Sequence, residues 1–174
     1  MEHDNRHSVS VAGVILDETG RALLIRRRDN GHWEAPGGIL ERDEDITTGL
    51  LREVFEETGL TVELETLTGV YKNMTCGVVA LVFRCRAVHG TPAETDETRD
   101  FRWVTADEVL SLTSEAFAIR VLDAMRENDR PAIRHHDGTH LIEPVRQSRP
   151  GDSPRQGVEF SGPDAPGKGH RRRP

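Results

Sequence analysis

Three glutamates lie close together in the middle of the sequence, at positions 53, 56 and 57. On a helix, each residue turns the chain by about 100°, so Glu53, Glu56 and Glu57 fall within an arc of roughly 100°. Carboxylates that share one helix face repel one another unless a cation neutralises them. Carboxylate oxygens suit Mg²⁺ or Mn²⁺, hard cations that also bridge to substrate phosphates. The spacing indicates a divalent-cation site for phosphate chemistry, and the alternative is a solvated acidic face.

A helix is predicted at Ile46–Thr58, where it would carry all three acids. Apolar residues recur there at helical spacing, and Gly59 occupies the position of a glycine that ends a helix. The preceding Gly37-Gly38 pair predicts a loop whose backbone can approach a ligand closely. Next to Glu53, the planar guanidinium of Arg52 can orient a carboxylate or contact a phosphate.

The order of these residues matches a known motif at every position. From Gly38 to Leu60 the sequence reads Gly-x5-Glu-x7-Arg-Glu-aliphatic-x-Glu-Glu-x-Gly-aliphatic. At background frequencies of roughly 6–7% per fixed residue, such a match arises by chance at below about 10⁻⁸ per starting position. The chain therefore resembles a Nudix hydrolase over residues 8–128. Trp33 begins the Trp-x-x-Pro-Gly-Gly arrangement that many Nudix proteins carry ahead of this motif.

The fold is predicted as α/β, with a mixed sheet between helices, because segments of strand character are interspersed with helical ones. The resemblance implies the Nudix α/β/α sandwich. Strands are expected at residues 8–16, 22–28, 61–71, 77–88 and 101–104. Beyond the motif helix, Thr105 is predicted to cap a helix start, and 114–127 is predicted to form a further helix.

The resemblance also assigns metal ligands. Glu53, Glu56 and Glu57 are expected to bind Mg²⁺, or alternatively Mn²⁺, with the Gly38 carbonyl as an additional ligand. Relatives often supply another acid from the segment before an Arg-Trp-aliphatic strand, and Glu97 is the predicted equivalent here.

Two further catalytic roles follow from the same resemblance. Nudix members differ in which residue acts as the general base that activates water, so Glu53 and Glu97 both stay candidates. Glu94 is the second choice after Glu97 in the acidic loop. Glu44 and Arg52 are predicted to form a pair that holds the metal-binding acids in place.

Three consecutive arginines end the predicted strand Ala22–Arg28. Alternate side chains of a strand share one face, so Arg26 and Arg28 are predicted to contact substrate phosphates. Arg27, on the opposite face, is interpreted as a charge that protects an exposed strand edge from pairing.

Composition sets broader limits. A chain of 174 residues with net charge −7 suits one domain and does not indicate nucleic-acid binding. No run approaches membrane-spanning length and the opening has no apolar leader, so a cytoplasmic protein without membrane contact is expected. Residues 1–7 are predicted to be flexible, 129–145 to form an ordered arm, and 146–174 to be a disordered tail rich in Pro, Gly and Arg.

Other candidate metal ligands carry less weight. Cys76 and Cys85 are expected on one strand about 30 Å apart, too far for a disulfide. They also lack companions for a zinc site. His135, His136 and His140 lack a fourth partner at regular spacing, so they are not interpreted as a metal site.

The predicted reaction is Mg²⁺-dependent hydrolysis of a nucleoside diphosphate linked to another group. Nudix proteins specific for ADP-ribose carry a downstream proline, whereas this chain has none between Leu60 and Pro92. Tyr71 falls too early for the tyrosine that marks dinucleoside polyphosphate hydrolases. A (d)NTP pyrophosphohydrolase is therefore the leading prediction. The alternatives are ADP-ribose, a nucleotide sugar or an RNA 5′ end as substrate, or a nucleotide sensor without catalysis. Homodimer formation stays open.

Overall fold

The computed structural model describes residues 6–127 and 129–143. The predicted tail 146–174 lies outside the described residues, as does most of the predicted flexible segment 1–7. The helices are α1 (Ile46–Thr58), α2 (Ala106–Leu112) and α3 (Glu115–Met125). The strands are β1 (Ser8–Leu16), β2 (Ala22–Arg27), β3 (Trp33–Glu34), β4 (Gly37–Ile39), β5 (Thr61–Asn73), β6 (Val78–His89), β7 (Thr98–Val104), β8 (Ala132–His136) and β9 (Leu141–Ile142). None of the described helices combines the length and the apolar character needed to cross a bilayer.

The strands of the described part form one mixed sheet in the order β3-β2-β1-β6-β5-β8-β9. Strand β4 pairs additionally with β1, and β7 pairs with β2. The neighbours β1 and β6 run parallel, as do β5 and β8, whereas the other pairs are antiparallel. The predicted mixed sheet is confirmed.

Helices cover both faces of this sheet. Val11 and Ile15 of β1 belong to one apolar cluster, together with Leu50 and Val54 of α1. Val14, on the opposite face of the same strand, belongs to a second cluster, which includes residues from α2 and α3. Successive side chains of a strand point to opposite faces, so the two clusters lie on either side of the sheet. The predicted α/β/α arrangement is confirmed.

Helix α1 has the predicted bounds because its end signals are local. The Asp45 side chain accepts a hydrogen bond from the Thr48 N–H at 2.9 Å and caps the first turn. Gly59 adopts a left-handed conformation with φ of 73° and donates its N–H to the carbonyl of Phe55. These caps fix which residues of α1 face the sheet.

Two predicted features of the strands are wrong. Strand β2 is not an edge at its charged end, because Arg26 lies between Trp33 of β3 and Asp100 of β7. Strand β7 starts earlier than expected and supplies the second neighbour.

Cys76 lies in the turn between β5 and β6 and does not share a strand with Cys85. Both cysteines are free.

A buried polar network joins β5, α3 and β8. Tyr71 donates its hydroxyl hydrogen to the Asp123 carboxylate at 2.8 Å. Arg134 donates to both oxygens of the same carboxylate, at 2.7 and 2.8 Å. Tyr71 is fully buried and Asp123 is 2% exposed. The network attaches β8, which lies in the predicted arm 129–145, to the helix and to the sheet.

We expect Tyr71→Phe to lower the free energy of unfolding by about 2 kcal/mol, because a buried charged acceptor loses one of its donors. Urea denaturation followed by circular dichroism measures the change. Thr61→Val removes an exposed hydroxyl from the same strand and should change stability by less than about 0.5 kcal/mol. Equal stabilities of Tyr71→Phe and the wild type would show that this hydrogen bond contributes nothing.

Candidate functional site

The loop before α1 passes between β1 and the helix because it contains two glycines. Gly37 pairs with Ala12 and Gly38 with Val11 across the β4–β1 ladder. A Cβ atom at Gly37 would meet the Val11 carbonyl and the backbone of Ala12. A Cβ atom at Gly38 would overlap the Glu53 carboxylate. At Gly37 only glycine allows this close approach to the backbone of β1, whereas a side chain at Gly38 would displace the Glu53 carboxylate.

Glu57 is the most buried acid of this region, with 1% of its surface exposed. Its carboxylate accepts the Gly37 N–H at 2.7 Å. Burial raises the pKa of Glu57 to about 8, and the nearby charge of Glu34 acts in the same direction. The Arg27 guanidinium, 3.8 Å away, opposes the shift. Glu57 is therefore an acid held where its charge is poorly compensated.

Glu53 lies against Gly38 and is 9% exposed. Burial raises its pKa, although the Arg52 guanidinium at 3.0 Å acts against this. The like charges of Glu56 and Glu97 raise the pKa further, so both carboxylates lie within electrostatic range of Glu53. The structure thus brings Glu97, remote in sequence, towards the acids of α1.

Arg52 connects three acids of the site through its guanidinium. It donates to both carboxylate oxygens of Glu44, at 2.7 and 3.0 Å, and this bond lowers the pKa of Glu44. It also lies 3.0 Å from carboxylate oxygens of Glu53 and Glu56. The contact predicted between Glu44 and Arg52 is present. Arg52 holds three carboxylates in fixed relative positions.

The donor set suits a hard divalent cation. Glu53, Glu56 and Glu57 supply carboxylate oxygens. The pKa values of Glu53 and Glu57 are raised because burial disfavours their charged forms, which a bound cation would stabilise. Within the described residues, no three or more His, Cys, Asp or Glu side chains already converge in metal-binding geometry. Arg52 bridges Glu53 and Glu56, so a cation that binds both acids has to compete with this arginine.

The three histidines at positions 135, 136 and 140 do not converge either. His136 is fully buried, and its Nε2 atom lies 2.9 Å from a guanidinium nitrogen of Arg120. His140 is exposed and lies 3.9 Å from Asp137. His135 belongs to no metal-binding group in the described part of the chain.

The arginine that points towards the acids is Arg27, which the sequence reasoning assigned to a strand edge. It lies 3.2 Å from Glu34 and 3.8 Å from Glu57. The register of β2 against β7 shifts between Arg26 and Arg27. The extra residue lies in β7, because Arg26 pairs with Asp100 and Arg27 with Thr98, so β2 keeps its alternation. Arg27 therefore lies on the same face as Leu23, which packs in the cluster with α1. Which face of β2 turns towards α1 has no evident signal in the sequence.

The two arginines predicted to bind phosphate contact the protein backbone. Arg26 donates from Nε to the Gly31 carbonyl at 3.1 Å. Arg28 donates from Nε to the Thr95 carbonyl at 2.8 Å, and its Nη2 lies 3.1 Å from the Glu94 carboxylate. Glu94 is therefore paired with an arginine in this structure.

A cavity of about 310 Å³ opens beside Gly37 and Gly38 of β4, which are called the glycine loop below. Its charged lining residues are Arg27, Glu34 and Arg120, none of which the sequence reasoning selected for the site. Burial raises the pKa of Glu34, whereas Arg27 lowers it. A second opening shares Arg27 and is lined also by Arg28, Asp29, Asp96 and Glu97. Gly37, Gly38 and Arg27 thus border a space large enough for a nucleotide fragment, and Glu57 bonds to the Gly37 N–H beside it.

Comparison with known proteins identifies this arrangement. Residues 6–125 match the family profile of the NUDIX domain. The chain belongs to the Nudix hydrolase family. A "MutT-like protein" of Streptomyces ambofaciens is 56% identical over 136 residues, which cover 78% of this chain and 88% of that protein. Members of the family hydrolyse nucleotide-type anhydrides, and in this chain the motif acid Glu57 bonds to Gly37, which lines the cavity.

Two further Nudix relatives agree with this assignment. An "ADP-ribose pyrophosphatase" of Methanocaldococcus jannaschii is 31% identical over 100 residues, 53% of this chain and 59% of that protein. The crystal structure of a MutT protein from Methanosarcina mazei Go1 superposes with a TM-score of 0.63 at 29% identity. The superposed residues cover 74% of this chain and 100% of the Methanosarcina chain.

We expect Glu57→Gln to stabilise the metal-free Nudix domain at pH 8 but not at pH 5. The pKa of Glu57 rises from 4.5 to about 8 on folding, so its burial destabilises the folded state increasingly as the pH rises between these values. Melting in EDTA should show a gain of at least about 1 kcal/mol at pH 8, or roughly 2–4 °C in Tm.

Glu18→Gln is the control for this change, because Glu18 is exposed in the turn after β1. It should shift Tm equally at both pH values. A Glu57→Gln effect that is the same at pH 5 and pH 8 would contradict the buried, poorly compensated carboxylate.

Proposed function

We propose that this protein hydrolyses a nucleoside diphosphate linked to another group, with a (d)NTP as the leading substrate. The observation that carries the proposal is the convergence of two buried acids, Glu53 and Glu57, on the Gly37–Gly38 backbone beside a cavity. This places anionic oxygens, a polar backbone and an open space together. A diphosphate bridge is itself anionic, so it can approach these acids only with a divalent cation between them.

Mg²⁺, or Mn²⁺, would be held by Glu53, Glu56 and Glu57 with the Gly38 carbonyl. When bound, it supplies screening of the phosphate charge and a lower pKa for coordinated water. Arg52 keeps Glu53 and Glu56 in position, and Glu44 in turn orients Arg52.

The general base accepts a proton from the water that attacks phosphorus. Glu53 and Glu97 are the two candidates. Glu53 lies next to the glycine loop, and Glu97 borders the opening that Arg27 shares with the main cavity. Arg27 lies where it can donate to a phosphate oxygen, a role for which its planar guanidinium is suited.

The (d)NTP class is favoured over two other Nudix substrate classes. Tyr71 is fully buried and donates to Asp123, so it is not available to a dinucleoside polyphosphate. No proline occurs between Leu60 and Pro92, where the ADP-ribose group carries its marker. RNA 5′ ends and nucleotide sugars stay as alternatives to be tested with the same enzyme.

Product analysis in ¹⁸O-labelled water tests the reaction. With Mg²⁺, the protein should hydrolyse one class among NTPs, dNTPs, ADP-ribose, nucleotide sugars, dinucleoside polyphosphates and triphosphorylated RNA, and ³¹P NMR identifies the phosphorus that takes the label. EDTA should abolish turnover, and added Mg²⁺ should restore it. Glu57→Gln should reduce kcat by at least about 100-fold, because it removes a charged cation ligand.

The rival hypothesis is a nucleotide sensor that binds without hydrolysis. Binding of a nucleotide in the presence of Mg²⁺, without turnover of any substrate in the panel, would favour the sensor over the enzyme. Turnover that is unaffected by EDTA would contradict the role of the carboxylates as cation ligands.

Substitution of each neighbouring arginine by methionine tests the phosphate contact. We expect Arg27→Met to raise KM by about 10-fold, because a charge-assisted hydrogen bond to the substrate is lost. Arg26→Met and Arg28→Met are the matched controls and should change KM by less than about 3-fold, since their Nε groups bond to backbone carbonyls. A larger increase in KM for Arg26→Met or Arg28→Met than for Arg27→Met would show that Arg26 or Arg28 contacts the phosphate, as the sequence predicts.

A further inference from the structure

Arg120 is a largely buried cation that lines the same cavity as Arg27 and Gly38. Within the described residues, no carboxylate contacts its guanidinium directly. The negative charge of Glu34 attracts it only over a longer distance. Its Nε atom is buried and has no hydrogen-bond partner in that part of the chain. Arginine is rarely buried unless it is paired, because desolvation of the charge is costly. A buried guanidinium beside a cavity therefore points to a ligand that accepts hydrogen bonds.

The guanidinium of Arg120 is held in place by its neighbours. Its central carbon lies 4.6 Å from the ring centre of Phe117 and 5.6 Å from that of Tyr71. Its Nη2 lies 2.9 Å from Nε2 of the fully buried His136. Burial, with the charge of Arg120 as a second cause, lowers the pKa of His136, so this ring is neutral at pH 7. The contacts with two rings and an imidazole fix Arg120 before a ligand binds.

Arg120 and Phe117 of α3 line the cavity, whereas the three acids of α1 do not. Those acids belong to α1, which packs on one face of the sheet, whereas Arg120 belongs to α3 on the other face. The glycine loop runs between the two ends and bonds to Glu57 at the α1 end. Phosphates that reach the acids therefore leave the rest of the substrate at the α3 end.

The walls at the α3 end suit a flat ring. Apolar side chains of Ala12, Val82 and Phe117 line the cavity there. A volume of about 310 Å³ falls in the range of small-molecule sites. Apolar walls with one cationic side chain from α3 fit a nucleobase better than a second phosphate, which needs several donors.

We infer that Arg120 determines base specificity by donating a hydrogen bond to a carbonyl oxygen on the edge of the nucleobase. This inference depends on the proposed function, in that the substrate is a nucleotide. Guanine and hypoxanthine carry an acceptor oxygen at position 6, and uracil carries one at position 4. Adenine and cytosine carry an amino donor at the same positions. Arginine has hydrogen-bond donors only. Arg120 can therefore bond to the oxygen of an oxo base, whereas the amino group of adenine or cytosine would place a second donor against it.

The test compares kcat/KM for the pairs ITP and ATP, and UTP and CTP, which differ at the atom that Arg120 contacts. The wild type should prefer the oxo base by about 10-fold or more in each pair, because a site built to hydrogen-bond its ligand discriminates strongly. Arg120→Met keeps the apolar stem and should bring both ratios close to one. Arg120→Gln, whose amide can also accept a hydrogen bond, should shift the ratios towards the amino bases.

Arg86→Met is the control, because Arg86 is exposed on β6 and pairs with Glu63. It should leave both ratios unchanged. An equal loss for all four nucleotides in Arg120→Met would show that Arg120 contacts a part of the substrate common to all of them and would overturn the inference. Unchanged ratios in a folded variant would reduce Arg120 to a packing residue.

Failure of the variants to fold and failure of the proposed function can each be told apart from failure of this inference. If Arg120→Met and Arg120→Gln fail to fold, the wild-type ratios alone decide, since ratios near one contradict the inference. If the wild type hydrolyses no nucleotide, the proposed function fails. Equilibrium binding of the same four nucleotides to Glu57→Gln then tests base recognition independently of turnover, and equal affinities within each pair would overturn it.

Discussion

The site depends on the close approach of the Gly37–Gly38 backbone to the acidic face of α1. A carboxylate that is removed from water retains its charge only if donors or cations compensate for the lost hydration. The Gly37 N–H is one such donor for Glu57, and the absence of a side chain at Gly38 leaves room for Glu53. The same contact that buries the acids also opens a polar backbone to the cavity.

Arg52 limits the electrostatic cost of this arrangement. Its guanidinium contacts three carboxylates, one from the loop and two from the helix, so the loop and α1 are held in one relative position. Arg27 has a similar function, because its guanidinium lies near the carboxylates of both Glu34 and Glu57. The site is thus built from alternating charges whose geometry is largely fixed by planar guanidinium groups.

Local signals explain which parts of the structure could be predicted. The bounds of α1 follow from a capping aspartate and a terminal glycine, and β1 follows from an apolar run, so these elements match the predictions. The orientation of Arg27 depends on which face of β2 packs on α1, and the neighbours of β2 depend on where β7 begins, which are tertiary features. Arg120 is one arginine on an amphipathic helix, and its burial against Phe117 and His136 becomes evident only once β8 has joined the sheet.

Strand β8 lies beyond the residues that match the family profile, yet its last residue, His136, supports the arginine at the far end of the cavity. The hydrolytic acids and this support are therefore separate in the sequence and come from opposite faces of the sheet. Such a division allows mutation and selection to alter ligand choice through the C-terminal strand while the motif of α1 stays constant. Relatives with the same motif but a different segment in place of β8 would then diverge in the molecules they consume.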